Sequence, residues 1–376
     1  MCIFLDDRAS FSVVLMRLRY PHAGTQHVLT GVRQVREYSR QLLFTSEARR
    51  AVAEILPNLP ATTDLPSTGT WTIDRILSTT NDAQVLSLSS APDGVVTAIL
   101  KLARRSRAAN SMLLETEVLR SLAADARLEA LHGVLPKVLA CGQTSNHSFL
   151  LLKALPGLDA RAVIRGRAAM ERVQAAASAS VNLLHRHTAT MAAIDRAMVD
   201  RWVDQPLNTV RGLANGHQGI DRMAASIDHL ASGLSTALMG KQLTVSRVHG
   251  DFSPGNLRVT PDGGRITGIV DWENSSSVDL PMLDLLQLVL SSRVERERCE
   301  LGDVLGKLLN VSGLAAHEAR LLDRAQSCLG GEALEFRDLL LLTWLRHVAD
   351  NLTRSSDLNR HRWWVKKNVE SVLARL

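Results

Sequence analysis

The chain has 376 residues, is 45% hydrophobic and carries 44 Lys and Arg against 38 Asp and Glu, a formal net charge of +6. That length and apolar content suffice for a sizeable core and for division into lobes; no stretch is long and apolar enough to span a bilayer, and the early Asp6 and Asp7 argue against a secretory signal, so a cytoplasmic protein is expected. Cys2, Cys141, Cys299 and Cys328 lie far apart without metal-type spacing, and the basic residues are spread along a chain poor in Tyr and Phe, which disfavours a disulfide scaffold, a zinc site and a nucleic-acid surface.

Residues 1–62 read as an extension: Phe11 to Leu18 is strand-like, and Val32 to Leu56 has a helical pattern closed by Pro57 and Pro60. Trp71 to Leu77, Gln84 to Ser89 and Val95 to Lys101 read as strands, the third following an Asp93-Gly94 turn. The connection Ser78-Thr79-Thr80-Asn81-Asp82 contains no glycine. From Ser111 to Ala124, at about 100° per residue, Met112, Leu114, Val118, Leu119 and Leu122 share a broad helical face. Glu115 lies in the middle of that face and Glu117 points away from it. Ser148 to Leu155 reads as a buried strand ending at Pro156-Gly157, after which the chain is expected to be mainly helical. His185 and His187, two apart in a helical pattern and without partner ligands, read as structural or surface residues.

The most informative stretch is Val248-His249-Gly250-Asp251-Phe252-Ser253-Pro254-Gly255-Asn256-Leu257, followed by Ile269-Val270-Asp271-Trp272-Glu273. Apolar positions on both sides of Pro261-Asp262-Gly263-Gly264 predict two strands joined by a turn. Such a hairpin would bring Asn256, at the start of one strand, close to Asp271, at the end of the other. Two carboxylates and a carboxamide so placed suit phosphoryl transfer: one carboxylate to deprotonate a hydroxyl, and two oxygen ligands for Mg²⁺ on nucleotide phosphates. The Asp-to-Asn interval of five residues matches the protein-kinase catalytic loop, with Gly250 where that loop has Arg. Pro281 then opens a helix carrying Leu283, Leu286 and Leu290.

Together with Asp279-Leu280-Pro281-Met282-Leu283-Asp284-Leu285, these motifs closely resemble the aminoglycoside phosphotransferase family, which also holds choline kinase-like, homoserine kinase-like and macrolide kinase-like enzymes. The resemblance covers about 310 residues and is specific for the family but not for the substrate. It implies an α+β, two-lobed protein-kinase-like fold: a small β-rich nucleotide-binding N-lobe over 63–155 and a mainly helical C-lobe over 156–376 with a catalytic β-hairpin. It also implies ATP, Mg²⁺ and a small-molecule hydroxyl acceptor.

Within that fold Lys101 is the candidate phosphate-contacting lysine. Glu115 is preferred to Glu117 as its partner, because a carboxylate on a core-facing stripe is costly unless a cation meets it. Asp251 is the expected base, with His249 and Asn256 completing the catalytic set; Asn256 and Asp271 are the expected metal ligands, and Asp284 an acceptor of hydrogen bonds from the catalytic loop. Thr79, Thr80 and Asn81 are candidate phosphate contacts, although a plain polar hairpin explains them as well. Backbone groups near Leu152 to Leu155 are expected at the adenine edge. The cluster Arg346, His347, Arg354, Arg360, His361, Arg362, Trp363, Trp364, Lys366 and Lys367 reads either as a solvated helical face or as part of the acceptor pocket. Its charge argues for a neutral or anionic acceptor rather than a polycation. A catalytically silent nucleotide-binding regulatory module is the rival reading, but such modules typically lose the base or a metal ligand, and Asp251, Asn256 and Asp271 are all present.

Overall fold

The computed structural model describes residues 46–59, 71–79, 82–90, 95–213, 223–310, 313–354 and 362–376. The expected strand at Phe11 to Leu18, most of the helix expected from Val32, and Thr80, Asn81, Arg360 and His361 lie outside them, as does the side chain of Thr79. The chain divides into two compact units, residues 1–62 and 63–376. In the first, residues 46–55 are helical and run into the 3-10 turn Leu56–Asn58, with Ala48, Ala51, Val52 and Ile55 buried along one helical face.

The second unit begins with a five-stranded antiparallel sheet in the order β1-β2-β3-β5-β4, built from β1 (Trp71–Thr79), β2 (Ala83–Ser90), β3 (Val96–Ala103), β4 (Val138–Gln143) and β5 (Ser148–Lys153). Alternation puts Leu100 and Leu102 of β3 in the core, with Leu100 facing Leu86 and Leu151 across the ladders. Helix α1 (Ser106–Ala124) packs on β3, β4 and β5. Its buried stripe is Met112, Glu115, Thr116, Leu119 and Leu122. Leu114, expected on that stripe, is 53% exposed; the buried face is narrower than the pattern suggested.

The remainder is mainly helical, including α2 (Ala160–Val163), α3 (Arg167–Thr188), α4 (Met282–Glu297) and α5 (Phe336–Arg354). Two three-stranded sheets are set among these helices. One joins β9 (Leu257–Val259) and β10 (Ile266–Ile269), the expected hairpin, to β6 (Leu158–Asp159). The other, which the sequence reading missed, places β8 (Gln242–Val248) between β7 (Thr190–Ala193) and β11 (Ser276–Asp279). Its outer strands have four residues each, too short to stand out from a helical background. Gly157, at φ +102, lies where a Cβ would meet Thr267 Oγ1 at 2.2 Å and the Val259 carbonyl oxygen at 2.6 Å. Only a residue without a side chain lets the exit from β5 pass against this sheet.

Strand β8 delivers His249 to Asp251, and α4 fixes their main chain. Asp284, buried in the first turn of α4, accepts from His249 N at 2.7 Å, from Gly250 N at 2.9 Å and contacts His185 Nε2 of α3 at 3.0 Å. Gly250 has φ +83, and a Cβ there would lie 2.1 Å from the Asn274 carbonyl oxygen, so the longer residue of the protein-kinase loop cannot be accommodated.

Two stability outcomes follow. Gly157→Ala is expected to lower unfolding free energy by roughly 2–4 kcal/mol, from left-handed backbone strain plus overpacking, measured by urea denaturation. For Asp284, burial pushes the carboxyl pKa up, but His185 and the His249 main-chain amide more than offset it and hold it below the ordinary value. Because the folded pKa lies below the unfolded one, the contribution is complete above about pH 4 and is lost as pH falls through the folded value. Asp284→Asn is therefore expected to cost about 3 kcal/mol at neutral pH, with the gap from the parent protein narrowing below about pH 4, as read from denaturation curves across pH.

Candidate active site

Three elements distant in sequence meet at Lys101. Its Nζ lies 2.6 Å from Glu115 Oε2 of α1 and 2.6 Å from Asp271 Oδ1, 170 residues further along the chain. Glu115 is fully buried, and Glu117 is exposed on the far side of α1. Burial alone would lower the Lys101 pKa, but the two carboxylates more than offset it and the ammonium is held well above its ordinary value. Burial likewise raises Glu115, against the pull of Lys101. Asp271 differs: its side chain is 46% accessible, and Lys101 outweighs burial to hold its carboxyl below the usual range. Asp271 adopts a left-handed conformation at φ 64, a strained geometry that persists where the surroundings enforce it. Here Trp272 does so: it is buried and its Nε1 donates to the Ile269 carbonyl at 2.8 Å.

The hairpin ends are joined by Val270 N donating to the Asn256 carbonyl at 2.9 Å. Asn256 Nδ2 donates to the Asp251 carbonyl at 2.8 Å, which leaves Oδ1 as the free polar atom of that carboxamide. Asn256 and Asp271 line one cavity of about 300 Å³, together with Ser253, Arg161, Ser291 and Glu295. A carboxylate and a carboxamide oxygen on one cavity suit Mg²⁺, which is commonly held by one or two protein oxygens with phosphates and water completing its shell.

His249, expected among the catalytic groups, is wholly buried. Its Nδ1 accepts from Asp251 N at 3.2 Å and its Nε2 faces the Val270 carbonyl at 2.9 Å, the pattern of a neutral ring protonated on Nε2. The ring packs against Phe252 and Trp272. With no free nitrogen, His249 positions the Asp251 main chain and the hairpin end and is not placed to touch a substrate. His185 is buried against Asp284, and His187 is exposed.

Leu152 is in the interior of β5 opposite Ile99. Ala154 N donates to the Thr97 carbonyl at 3.0 Å, two positions along the same ladder, so by strand alternation the Leu152 main-chain groups also face β3. Leu155, beyond the strand, is half-buried, with its side chain against Gly268. Of the two, Leu155 alone remains for an edge contact in the cleft.

A second cavity of about 150 Å³ is lined by Asp251, Gln287, His347, Asp350, Asn351 and Arg354, with Arg346 beside them. Gln287 is three residues past Asp284 on α4, and the α5 residues fall at i, i+3, i+4 and i+7, a polar stripe on a helix whose other faces bury leucines. That stripe was readable in the sequence, but the basic count hid it. Arg362 and Trp363 are exposed, with Trp363 61% accessible, and Lys367 pairs with Asp303; none of them lines this cavity. Arg346 is engaged by Asp279 at 2.9 Å, and Arg354 lies 3.6 Å from Asp251 Oδ2 and 3.7 Å from Glu273 Oε1. Burial raises the Asp350 carboxyl and lowers the His347 imidazole. The basic cluster is thus divided and matched by acids, and the charge argument against a cationic acceptor loses its basis.

Among the described residues no helix is long and apolar enough to cross a membrane, and no cluster of three His, Cys, Asp or Glu is arranged to hold a metal by itself. No curated protein matches the chain. Solved structures do: aminoglycoside phosphotransferase APH(2'')-Ib with ADP bound, at 15% identity, TM-score 0.51, covering 87% of this chain and 96% of that one. Another is a Ralstonia eutropha protein provisionally assigned as an aminoglycoside phosphotransferase, at 12% identity, TM-score 0.53, covering 87% and 97%. A third is a thermostable mutant of APH(4)-Ia in ternary complex with AMP-PNP and hygromycin B, at 14% identity, TM-score 0.52, covering 80% and 93%. At such identities they bear on the fold alone, which is the two-lobed, protein-kinase-like one. Residues 76–322 match the phosphotransferase enzyme family, and with two thirds of its length so matched the chain belongs to that family.

Proposed function

We propose that the protein transfers the γ-phosphoryl group of ATP to a hydroxyl of a small molecule, with Asp251 as base. The observation that carries this reading is the placement of Lys101 between Glu115 and Asp271 beside Asn256. An ammonium has three N–H donors; Glu115 and Asp271 take two, and the third is available to a phosphate oxygen. Glu115 holds Lys101 in place. Asn256 and Asp271 would hold Mg²⁺, which when bound offsets the charge of the nucleotide phosphates. Leu155 marks the adenine end of the cleft, and Thr79, Thr80 and Asn81 are proposed as phosphate contacts.

The acceptor would occupy the cavity that Asp251 shares with α5. Its oxygen forms the new bond to phosphorus as the bond between that phosphorus and the ADP oxygen breaks. The hydroxyl proton passes to Asp251, whose main chain is pinned by His249 on one side and Asn256 on the other. Arg354, near both Asp251 and Glu273, keeps a positive charge where the phosphoryl group passes. The cavity charge selects neither an anionic nor a cationic acceptor; a hydroxylated small molecule is the class the site supports.

Asp251→Asn is expected to lower turnover by about 10²–10⁴-fold, the scale of general-base loss, with nucleotide affinity retained. Lys101→Ala is expected to weaken nucleotide use, and Glu115→Ala to impair it more than Glu117→Ala. The assay is ATP consumption with a panel of sugars, amino alcohols, choline, macrolides and aminoglycosides. Near-normal turnover in Asp251→Asn contradicts the assignment, and nucleotide binding without turnover on any acceptor favours the silent module.

A further inference from the structure

The cavity shared by Asn256 and Asp271 contains a cation that the phosphotransfer reading leaves without a role. Arg161, the second residue of α2, reaches it from the segment that follows β5 and β6. Its guanidinium is held by Asp159, with Nη2 at 2.6 Å from Oδ2 and Nε at 3.1 Å from Oδ1. Asp159 also accepts from Arg161 N at 2.9 Å, so the same carboxylate fixes both the main chain and the head group. The guanidinium lies 3.5 Å from where a Cβ on Gly255 would be, an ordinary van der Waals distance, so Arg161 rests directly against the segment that carries Asn256. A guanidinium has five N–H donors, of which Asp159 engages those on Nε and Nη2, and the side chain lines the cavity.

Among the described residues lining this cavity, Arg161 is the sole cation, facing Asp271 and Glu295 with the hydroxyls of Ser253 and Ser291 around them. Lys101 does not correct that balance, because its single charge already stands between two carboxylates. A nucleotide polyphosphate entering here with one Mg²⁺ still carries net negative charge beside Asp271 and Glu295, and like charges brought together in a partly dry cleft are unfavourable, so a further cation facing it is favoured. Asp159 supplies the support such a cation needs. Planar guanidinium groups match phosphate oxygens in paired hydrogen bonds.

We propose that Arg161 is a second cation of the nucleotide site, contacting the phosphate tail from the C-lobe while Lys101 contacts it from the N-lobe, and so favouring a phosphorylated nucleotide over the bare nucleoside. The inference rests on the phosphotransfer reading above. It is tested by calorimetric titration of the full chain with Mg²⁺·ADP and, separately, with adenosine, for the parent protein, Arg161→Ala and Arg161→Lys. Because Arg161 is half exposed, the loss belongs at the low end for a charge-assisted contact. Arg161→Ala should weaken Mg²⁺·ADP about tenfold, with adenosine affinity unchanged, and Arg161→Lys should lose less. Unchanged adenosine binding also shows that the cleft is still folded. Equal Mg²⁺·ADP affinity in parent and Arg161→Ala overturns the inference alone, as does an equal loss for ADP and adenosine, which would make Arg161 a structural prop. A parent protein that binds adenosine and Mg²⁺·ADP equally well overturns it too, and one that binds no Mg²⁺·ADP overturns the phosphotransfer reading and this inference with it.

Discussion

The ammonium of Lys101, shared between Glu115 and Asp271, ties the site together. A buried carboxylate is tolerated only beside a compensating cation, so Glu115 on the inner face of α1 requires β3 and α1 to keep one spacing. Asp271 extends the same requirement to the hairpin of the other lobe, at 2.6 Å from the same nitrogen. A single charged group therefore sets both the internal geometry of the N-lobe and the width of the cleft at this point. Because Asp271 also faces the open cavity beside Asn256, the contact that orders the protein lies where nucleotide phosphates would arrive.

A second layer holds the loop around Asp251. Asp284 binds two successive loop amides and a buried histidine, His249 uses both ring nitrogens within the protein, and Asn256 ties its carboxamide to the Asp251 carbonyl. Each removes freedom from the main chain around Asp251 without touching its carboxylate. That division suits general-base chemistry, where the reacting group has to be fixed in position yet remain accessible. Gly250 belongs to the same arrangement, since the Asn274 carbonyl occupies the space any side chain would need.

What the sequence made legible was what depends on spacing. The five-residue interval from Asp251 to Asn256 and the turn residues between β9 and β10 specified a hairpin whose ends meet, and Glu115 was identified because a charge on an apolar stripe demands a partner. The less legible features depend on which partner a residue finds. Arg346 counts as a positive charge in the chain and is spent on Asp279 in the fold; Arg362 and Lys367 stand in the same cluster and face elsewhere. His249 carried the motif's most reactive side chain, and only three-dimensional packing showed both its nitrogens to be occupied. The short strands β7 and β11 lacked the length to register as alternation, and Arg161 stood outside every motif because only the fold brings it to the cavity beside Asn256 and Asp271.

The most direct test of this account is a crystal structure of the protein grown with Mg²⁺ and AMP-PNP. The account predicts a metal bound by Asn256 Oδ1 and the Asp271 carboxylate at about 2.0–2.1 Å, with Lys101 contacting a phosphate while remaining paired with Glu115. A nucleotide bound elsewhere, or bound in this cleft with the metal touching neither Asn256 nor Asp271, would contradict it.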